Sequence, residues 1–363
     1  MRKLYNINLH PNFSIQGRRY SLNDLTELSY SFIKEGEDFE KHIGEFILDW
    51  IDKSSFVNVY TSGSTGTPKA ITLKKEQMIN SALATGNYFN LSAKDSELLC
   101  LPATYIAGKM MLVRAMVLGL DLYMVPPTSS PLKDSNRTFD FGAMVPLQVS
   151  NSLPFLHQVK TLIIGGAPIS NTLRDQLHII ENNSFETYGM TETITHVAVK
   201  PLNQMLSSIV ATDLGFKTLP GIEISKDKRD CLVINAPKVS DKIVITNDVV
   251  ALVSDNEFRW LGRYDNMINS GGIKLNPEQI ESKLSDILHH SFFISSFPDP
   301  KLGEQVVLIL EGVMDKENVM QQIIASNTLN KYELPRLVKT IPEFLRTDSG
   351  KVKRNETLAL LSL

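Results

Sequence analysis

The chemistry-bearing residues of this chain are densest in one stretch, Tyr60–Lys69. It contains five serine or threonine hydroxyls, two glycines and one lysine, directly after the apolar run Phe56–Tyr60. Glycines let successive backbone N–H groups converge on an anion, the hydroxyls add donors, and the lysine adds positive charge. The composition therefore predicts a phosphate-binding loop, with a polar surface turn as the alternative. The loop residues are Thr61, Ser62, Gly63, Ser64, Thr65, Gly66 and Lys69.

The loop lacks the Gly-x-x-x-x-Gly-Lys-Ser/Thr spacing of a Walker P-loop, and Pro68 directly precedes its lysine. Further polar motifs follow along the chain: Gly165–Pro168, Thr187–Glu192, Thr246–Asp248, Gly262–Asp265, Ser270–Gly272 and Arg346–Lys351. In this order they resemble the signature of the adenylate-forming superfamily, which contains acyl- and aryl-CoA synthetases, luciferases and peptide-synthetase adenylation domains. The chain departs from the usual pattern at Ala70, Asn247, Phe344 and Leu345. None of these departures removes a reactive side chain.

The resemblance implies a site for ATP and Mg²⁺. It assigns the adenine to Tyr188 and the ribose hydroxyls to Asp248, with Arg263 nearby. It assigns the α-phosphate to Thr191 and the magnesium ion to Glu192, whose carboxylate suits a hard cation. The turn beside the adenine would be Gly165, Gly166, Ala167 and Pro168.

The resemblance also implies two half-reactions. In the first, Lys351 bridges the substrate carboxylate and the α-phosphate, so that Lys351, Glu192 and Thr191 are the predicted catalytic residues. In the second, coenzyme A attacks the acyl-adenylate after the carboxyl-terminal domain has rotated about a hinge at Asp265. Gly271 and Gly272 would then approach the pantetheine chain, since glycine lets backbone pass close to a thin ligand.

The acyl pocket implied by the resemblance lies near Leu101–Gly108 and just past Glu192. Tyr105 stands at its gate, and Lys109 and His196 are the candidates to meet a second carboxylate, with Lys200 and Arg114 as further possibilities. Short members with this sequence after the tyrosine look most like o-succinylbenzoate–CoA ligases of menaquinone biosynthesis. The alternatives are another aryl- or acyl-CoA ligase, an adenylation enzyme that loads a carrier protein, and a non-catalytic nucleotide-binding relative.

Composition limits the other possibilities. The chain has 363 residues, 42% of them hydrophobic, and a net charge of −3, which gives no electrostatic footprint for nucleic acid or an anionic membrane. The two cysteines, Cys100 and Cys231, have no metal-ligand spacing and indicate buried fillers in a reducing compartment. The first residues lead into no apolar signal core, so we expect no signal segment, and the apolar stretch Met110–Val125 is too short to span a bilayer. We therefore expect a cytoplasmic enzyme without an integral membrane segment.

Apolar β-branched runs alternate with helical patterns in the first two thirds of the chain, which predicts an α/β sheet with ligands at the strand carboxyl ends. Residues 1–263 are the predicted AMP-binding domain, shorter than is usual in the family and ending in a β subdomain. Its expected elements include a strand at Thr161–Ile164, a helix over Pro168–Glu181, and strands at Ile243–Ile245 and Val249–Val253. Residues 264–363 are the predicted mobile α+β lid, with a helix capped by Asn276.

Overall fold

The computed structural model describes residues 9–61, 69–203, 214–347 and 352–362. The predicted phosphate-loop residues Ser62, Gly63, Ser64, Thr65 and Gly66 lie outside this part of the chain, and so does Lys351. The side chains of Thr61 and Lys69 are outside it as well.

The helices follow the apolar periodicity and capping signals of the sequence. At the start of the first, the Ser21 hydroxyl accepts from the Asp24 N–H while the Asp24 carboxylate accepts from the Ser21 N–H, a capping box. The α-helices of the described residues are α1 (Leu22–Glu35), α2 (Asp38–Ile51), α3 (Lys75–Phe89), α4 (Ile106–Leu118), α5 (Pro146–Asn151), α6 (Asn171–His178), α7 (Pro277–Leu284), α8 (Lys316–Ser326) and α9 (Arg354–Ala359).

The chain folds into two compact units, one of Met1–Pro168, Gln176–Glu223 and Asn235–Val244, the other of Ile169–Asp175, Ile224–Ile234 and Ile245–Leu363. The predicted boundary between residues 263 and 264 remains a prediction. Compact units are defined by contacts within one conformation, whereas a hinge is defined by motion between two.

The first unit is built on a mostly parallel sheet. Its strands run in the order β11-β10-β9-β8-β7-β5-β6-β1-β2, and β1, β5, β6, β7, β8 and β9 pair in parallel. Strands β3 and β4 form a separate antiparallel pair. The bounds are β1 (Ser14–Ile15), β2 (Arg18–Arg19), β3 (Phe56–Thr61), β4 (Lys69–Lys74), β5 (Ser96–Leu99), β6 (Asp121–Met124), β7 (Phe139–Met144), β8 (Val159–Ile164), β9 (Asn183–Gly189), β10 (His196–Pro201) and β11 (Phe216–Thr218).

The second unit contains shorter strands and a sheet covered by helices. Strands β12 to β15 follow one another in order, while β17-β16-β19-β18 forms a second sheet in which β20 pairs in parallel with β19. Its core includes Ile280, Leu284, Leu308 and Ile323. The bounds are β12 (Glu223–Lys226), β13 (Cys231–Asn235), β14 (Val244–Ser254), β15 (Glu257–Arg263), β16 (Ile268–Ser270), β17 (Ile273–Leu275), β18 (Phe292–Asp299), β19 (Gly303–Glu311) and β20 (Leu337–Ile341).

The predicted α/β class is confirmed, and several element boundaries are corrected. The helix expected over Pro168–Glu181 is confined to α6. The Ser170 hydroxyl accepts the Leu173 N–H at its start, and the Ile180 N–H donates to the Leu177 carbonyl in a tighter turn beyond its end. The two strands expected between Ile243 and Val253 are one continuous strand, β14, which carries a register shift between Val249 and Val250. A local bulge accommodates the pattern that had indicated two strands.

The stretch Met110–Val125 forms a buried helix followed by a strand, as predicted. Residues 110–117 of α4 are all buried, which explains why its apolar side chains show no single face. Among the described residues, no helix is both long and apolar enough to cross a bilayer. Both cysteines are buried, and burial raises the pKa of the Cys100 thiol to about 12.

Candidate active site

Three predicted site segments leave the parallel sheet of the first unit at the same edge. Leu101–Gly108 follows β5, Gly165–Pro168 follows β8, and Thr191 and Glu192 follow β9. Because these strands are parallel, their carboxyl ends share one edge of the sheet, the usual position of a ligand site in α/β folds. The structure therefore brings the predicted adenine turn, the predicted metal ligand and the predicted acyl segment to one side of one unit.

The turn after β8 needs both of its glycines. A side-chain carbon on Gly165 would lie 2.5 Å from the Thr187 hydroxyl, which donates to the Ile164 carbonyl at 3.1 Å. Gly166 has a φ of +85°, a left-handed conformation that favours glycine. Gly165 is thus required by the close approach of Thr187, and Gly166 by the backbone conformation of the turn.

Tyr188, Thr191 and Glu192 are positioned by the end of β9. Tyr188 is half-buried and its ring centroid lies 5.8 Å from that of Phe216, so that it has an aromatic support. Thr191 and Glu192 belong to a short 3-10 turn, in which the Glu192 side chain is exposed. Mg²⁺ in proteins is usually held by one or two carboxylates plus phosphate and water, and a single exposed carboxylate fits that requirement.

Strands β3 and β4 flank the predicted phosphate loop. Thr61 pairs with Lys69 in an antiparallel register, so the residues between them connect two strands. A Walker P-loop connects a strand to a helix instead, which agrees with the different spacing seen in the sequence.

Asp248, the predicted ribose ligand, is 7% exposed and lies in β14 of the second unit. One of its carboxylate oxygens accepts from the Trp260 indole N–H at 3.1 Å and lies 3.5 Å from an Arg263 guanidinium nitrogen. The Asp248 N–H donates to the Thr246 hydroxyl. The pairing of β14 with β15 sets Asp248 opposite Arg263, which explains how residues fifteen positions apart meet.

Asp265, the predicted hinge, lies in a 3-10 turn over Tyr264–Asn266. Its carboxylate accepts from the Asn247 amide at 3.1 Å and from Arg263 at 3.3 Å. Asn247 is one of the positions at which the sequence departs from the family pattern. The departure adds an amide that contacts the predicted hinge residue.

Gly271 and Gly272 form the two-residue loop between β16 and β17, with φ values of +60° and +82°. Two consecutive positive φ values are typical of a tight hairpin turn. The assignment of this turn to pantetheine binding remains a prediction.

The acyl-pocket candidates have different surroundings. Tyr105 is the residue before α4, and its carbonyl accepts the Lys109 N–H. The Lys109 ammonium lies 4.9 Å from the centroid of the Phe46 ring of α2, and burial lowers its pKa. Its electrostatic neighbours are Asp49 and Glu45. Lys109 is therefore turned toward α2.

His196, by contrast, is 7% exposed and faces α3. Its Nε2 lies 3.4 Å from the Thr85 hydroxyl, and its ring lies 6.4 Å from the Phe89 ring. Burial, with the charge of Arg114 as a second cause, lowers the pKa of His196 to about 3. The imidazole is therefore neutral at physiological pH and can offer a hydrogen bond but no charge.

Glu97 and Arg114 form a buried charge pair; the sequence had offered Arg114 only as a further possibility for the second carboxylate, and it had given Glu97 no role. Glu97 is fully buried on β5, and neither carboxylate oxygen has a hydrogen-bond partner within the described structure. Arg114 is 2% exposed, its guanidinium donates to the Met111 sulfur at 3.1 Å, and burial lowers its pKa to about 10. The signal in the sequence was Arg114 inside the apolar stretch Met110–Val125 and Glu97 directly before the apolar run Leu98–Leu101.

Glu97 makes stability depend on pH. Burial raises its pKa well above the usual value of 4.5, with Arg114 opposing the shift. The stabilisation is thus complete below the unfolded-state pKa and falls by about 1.4 kcal/mol per pH unit between the unfolded-state and the folded-state pKa, above which no more is lost. We expect Glu97→Gln to match the wild type in urea unfolding near pH 5 and to exceed it near pH 9. A variant that is less stable at the higher pH would mean that Glu97 is ionised and stabilised by Arg114.

Comparisons with known proteins agree with this geometry. Residues 50–224 match the family model described as AMP-binding enzyme. An acyl-CoA synthetase (AMP-forming)/AMP-acid ligase II-like protein from Dyadobacter fermentans is 33% identical, with a TM-score of 0.60 and coverage of 93% of this chain and 98% of that one.

Two further relatives carry a more specific name. The 2-succinylbenzoate–CoA ligase of Listeria monocytogenes is 23% identical over 358 residues, covering 91% of this chain and 74% of the relative. The o-succinylbenzoate CoA synthetase of Bacillus subtilis, solved with the acyl-adenylate intermediate OSB-AMP, has a TM-score of 0.72 at 19% identity, covering 82% and 68%. The latter similarity shows a shared fold.

Proposed function

Because the chain belongs to the family of AMP-binding, adenylate-forming enzymes, we propose that it is an ATP-dependent acid–CoA ligase. In the first half-reaction a carboxylate oxygen attacks the α-phosphorus of ATP, giving an acyl-adenylate and diphosphate. In the second, the CoA thiol attacks the acyl carbon and AMP leaves with the bonding electrons. The observation that supports this most is the common sheet edge shared by Gly165–Pro168, Glu192 and the segment Leu101–Gly108.

The proposed roles follow from the chemistry of each side chain. A carboxylate resists thiol attack because its leaving group would be oxide, and AMP is a far better leaving group. Forming the adenylate is therefore a matter of positioning and charge neutralisation. Bound Mg²⁺ supplies positive charge to the polyphosphate. Glu192 would hold that cation, Tyr188 would offer a face to adenine, Asp248 would accept hydrogen bonds from the ribose hydroxyls, and Lys69 and Lys351 would contribute the remaining positive charge.

We assign o-succinylbenzoate as the acid. This substrate carries a second carboxylate, and burying that charge without a partner would be prohibitive. Arg114 and His196 are both buried and electrostatically coupled, and His196 follows the Glu192 turn by four residues. Because Lys109 packs against α2 and His196 is neutral, Arg114 is the buried cation that best suits this role, with His196 as a neutral donor.

A carrier-loading adenylation enzyme is the second candidate, since it would share the first half-reaction. The two functions differ in the thiol that receives the acyl group. We would measure diphosphate release from ATP with a panel of acids, with and without CoA. CoA-dependent formation of a thioester supports the ligase, whereas adenylate formation that ignores CoA supports carrier loading. No diphosphate release with any acid would support a non-catalytic relative.

The proposed hinge at Asp265 gives a separate prediction. Proline fixes φ near −65°, which the first turn of a helix tolerates, so Asp265→Pro should keep the turn over Tyr264–Asn266 and resist rotation. Adenylate formation should persist while transfer to CoA falls by at least about tenfold, as expected when a domain motion gates one step. Single-turnover measurement of each half-reaction checks this, and normal transfer would place the hinge elsewhere.

A further inference from the structure

The strand pair β14–β15 contains a bulge beside Asp248. Val250 pairs with Trp260, whereas the preceding residue of β14, Val249, pairs with Gly262. One step along β14 therefore corresponds to two steps along β15, so β15 carries an extra residue. Gly262 at this bulge has a φ of +145°, a value that favours glycine. The bulge changes which residues of β15 lie beside Asp248.

Because of the bulge, two donors of β15 reach the carboxylate of Asp248. In a regular ladder the residue opposite Asp248 would be Gly262, but with the extra residue it is Arg263. Trp260 lies diagonally across from Asp248, at a spacing that aromatic and long side chains can span. The Trp260 indole N–H donates to Asp248 Oδ1 at 3.1 Å, and an Arg263 nitrogen lies 3.5 Å from the same oxygen. One carboxylate oxygen is thus held from two directions.

The chain directly before Asp248 is held separately, by Arg229. The Arg229 guanidinium donates to the Thr246 carbonyl at 3.1 Å and to the Asn247 side-chain oxygen at 2.8 Å. The Asp248 N–H donates to the Thr246 hydroxyl at 3.1 Å. These bonds fix the backbone of this segment, which leaves rotation of the Asp248 side chain as the freedom that the donors on β15 restrict.

The two donors on β15 differ in how firmly they hold the carboxylate. Arg263 is 46% exposed and also lies 3.3 Å from Asp265, so it is shared between two carboxylates. Trp260 is half-buried, and its indole nitrogen can only donate. A tryptophan side chain also has only two torsions, so little freedom is lost when it is ordered. The one polar hydrogen of the Trp260 side chain is therefore used for Asp248.

We propose that Trp260 is a positioning residue for the ribose of ATP, which acts by orienting the carboxylate of Asp248. The inference rests on the proposed function, in which Asp248 accepts hydrogen bonds from the ribose hydroxyls. A carboxylate that is already oriented loses less rotational freedom when it binds a diol, so the indole increases the affinity for the ribose. This role requires no contact between Trp260 and the nucleotide.

The test compares Trp260→Phe with a matched control, Trp50→Phe, on ATP and on dideoxy-ATP, which lacks both ribose hydroxyls. Trp50 is the other tryptophan of the chain, a buried residue of α2 whose indole nitrogen has no hydrogen-bond partner within the described structure. We expect Trp260→Phe to weaken ATP binding about 3- to 10-fold, the range for one hydrogen bond. Binding of dideoxy-ATP should stay within about twofold of the wild type, as should binding of both nucleotides to the control, because neither case loses that hydrogen bond to a ribose ligand. Calorimetric titration in the presence of Mg²⁺ measures these dissociation constants.

The kinetics of adenylate formation separate positioning from a general structural effect. With Trp260→Phe, the KM for ATP should rise by the same factor as the dissociation constant while kcat stays near the wild-type value, because the ribose contact is made equally in the ground state and the transition state. A purely structural role predicts equal losses for the two nucleotides, or a fall in kcat, and either result overturns the inference.

A second measurement applies if Trp260→Phe does not fold. Trp50→Phe leaves Trp260 as the only tryptophan, so its fluorescence reports on the bond to Asp248. Saturating ATP should change this emission more than saturating dideoxy-ATP does, and equal changes, or none, would overturn the inference. Failure of the wild type to bind ATP would reject the proposed function, and equal affinity of the wild type for both nucleotides would reject the role of Asp248; the inference would fall with either. A Trp260→Phe variant that matches the control would reject only this inference.

Discussion

Replacing Lys351 with alanine should slow acyl-adenylate formation by about 10²- to 10³-fold, the usual loss when one transition-state donor is removed. The reason is that charge moves between the attacking carboxylate and the α-phosphate, where a compact cation stabilises it. Thioester formation from supplied acyl-adenylate should survive, because the proposed domain rotation has removed the lysine by then. Diphosphate release and single-turnover thioester formation measure the two half-reactions separately.

Lys353→Ala is the matched control for this experiment. Lys353 is two positions away in the same basic segment, and its ammonium lies 3.3 Å from Glu356. An exposed pair of that kind contributes about 0–1 kcal/mol, so the control should react nearly as fast as the wild type. If Lys351→Ala slows both half-reactions equally, the assignment of Lys351 to adenylate formation is wrong.

The preference of the enzyme for o-succinylbenzoate over other acids should also be large. We expect kcat/KM for o-succinylbenzoate to exceed that for benzoate or a medium-chain fatty acid by about 10⁴-fold, since a site built for polar groups rejects analogues that leave those groups unpaired. Arg114→Met should reduce this preference more than Lys109→Met does. CoA-dependent AMP release across the three acids checks both statements. Comparable values for benzoate would contradict the o-succinylbenzoate assignment while leaving the ligase proposal in place.

The sequence predicted the parts of the fold that depend on local patterns. The strand ending at Ile164, its Gly-Gly turn and the buried helix within Met110–Val125 are all confirmed. Boundaries were less accurate where tertiary contacts override the local signal. Asn276 occupies the N-cap position of α7, but its side chain makes no capping hydrogen bond. The β14 strand continues through Asp248, where Arg263 of β15 pairs with it.

Residues of the candidate site could be predicted only where a sequence motif identifies them. Tyr188, Glu192 and the Gly165–Pro168 turn could be placed at one sheet edge, because parallel strands end together. The contacts of Glu97, Arg114 and Arg354 could not be predicted, because their partners are distant in sequence and their burial is a property of the packed fold. Arg354, for example, contacts Glu281 at a separation of 73 positions.

The transfer of oxygen from the acid to AMP tests the central claim most directly. The protein would be incubated with ATP, Mg²⁺, CoA and o-succinylbenzoate labelled with ¹⁸O in its carboxyl groups, and the products analysed by mass spectrometry. Attack of a carboxylate oxygen on the α-phosphorus predicts AMP that carries one ¹⁸O, with unlabelled diphosphate. Label in inorganic phosphate, together with ADP, would show attack at the γ-phosphorus and would contradict an acyl-adenylate mechanism.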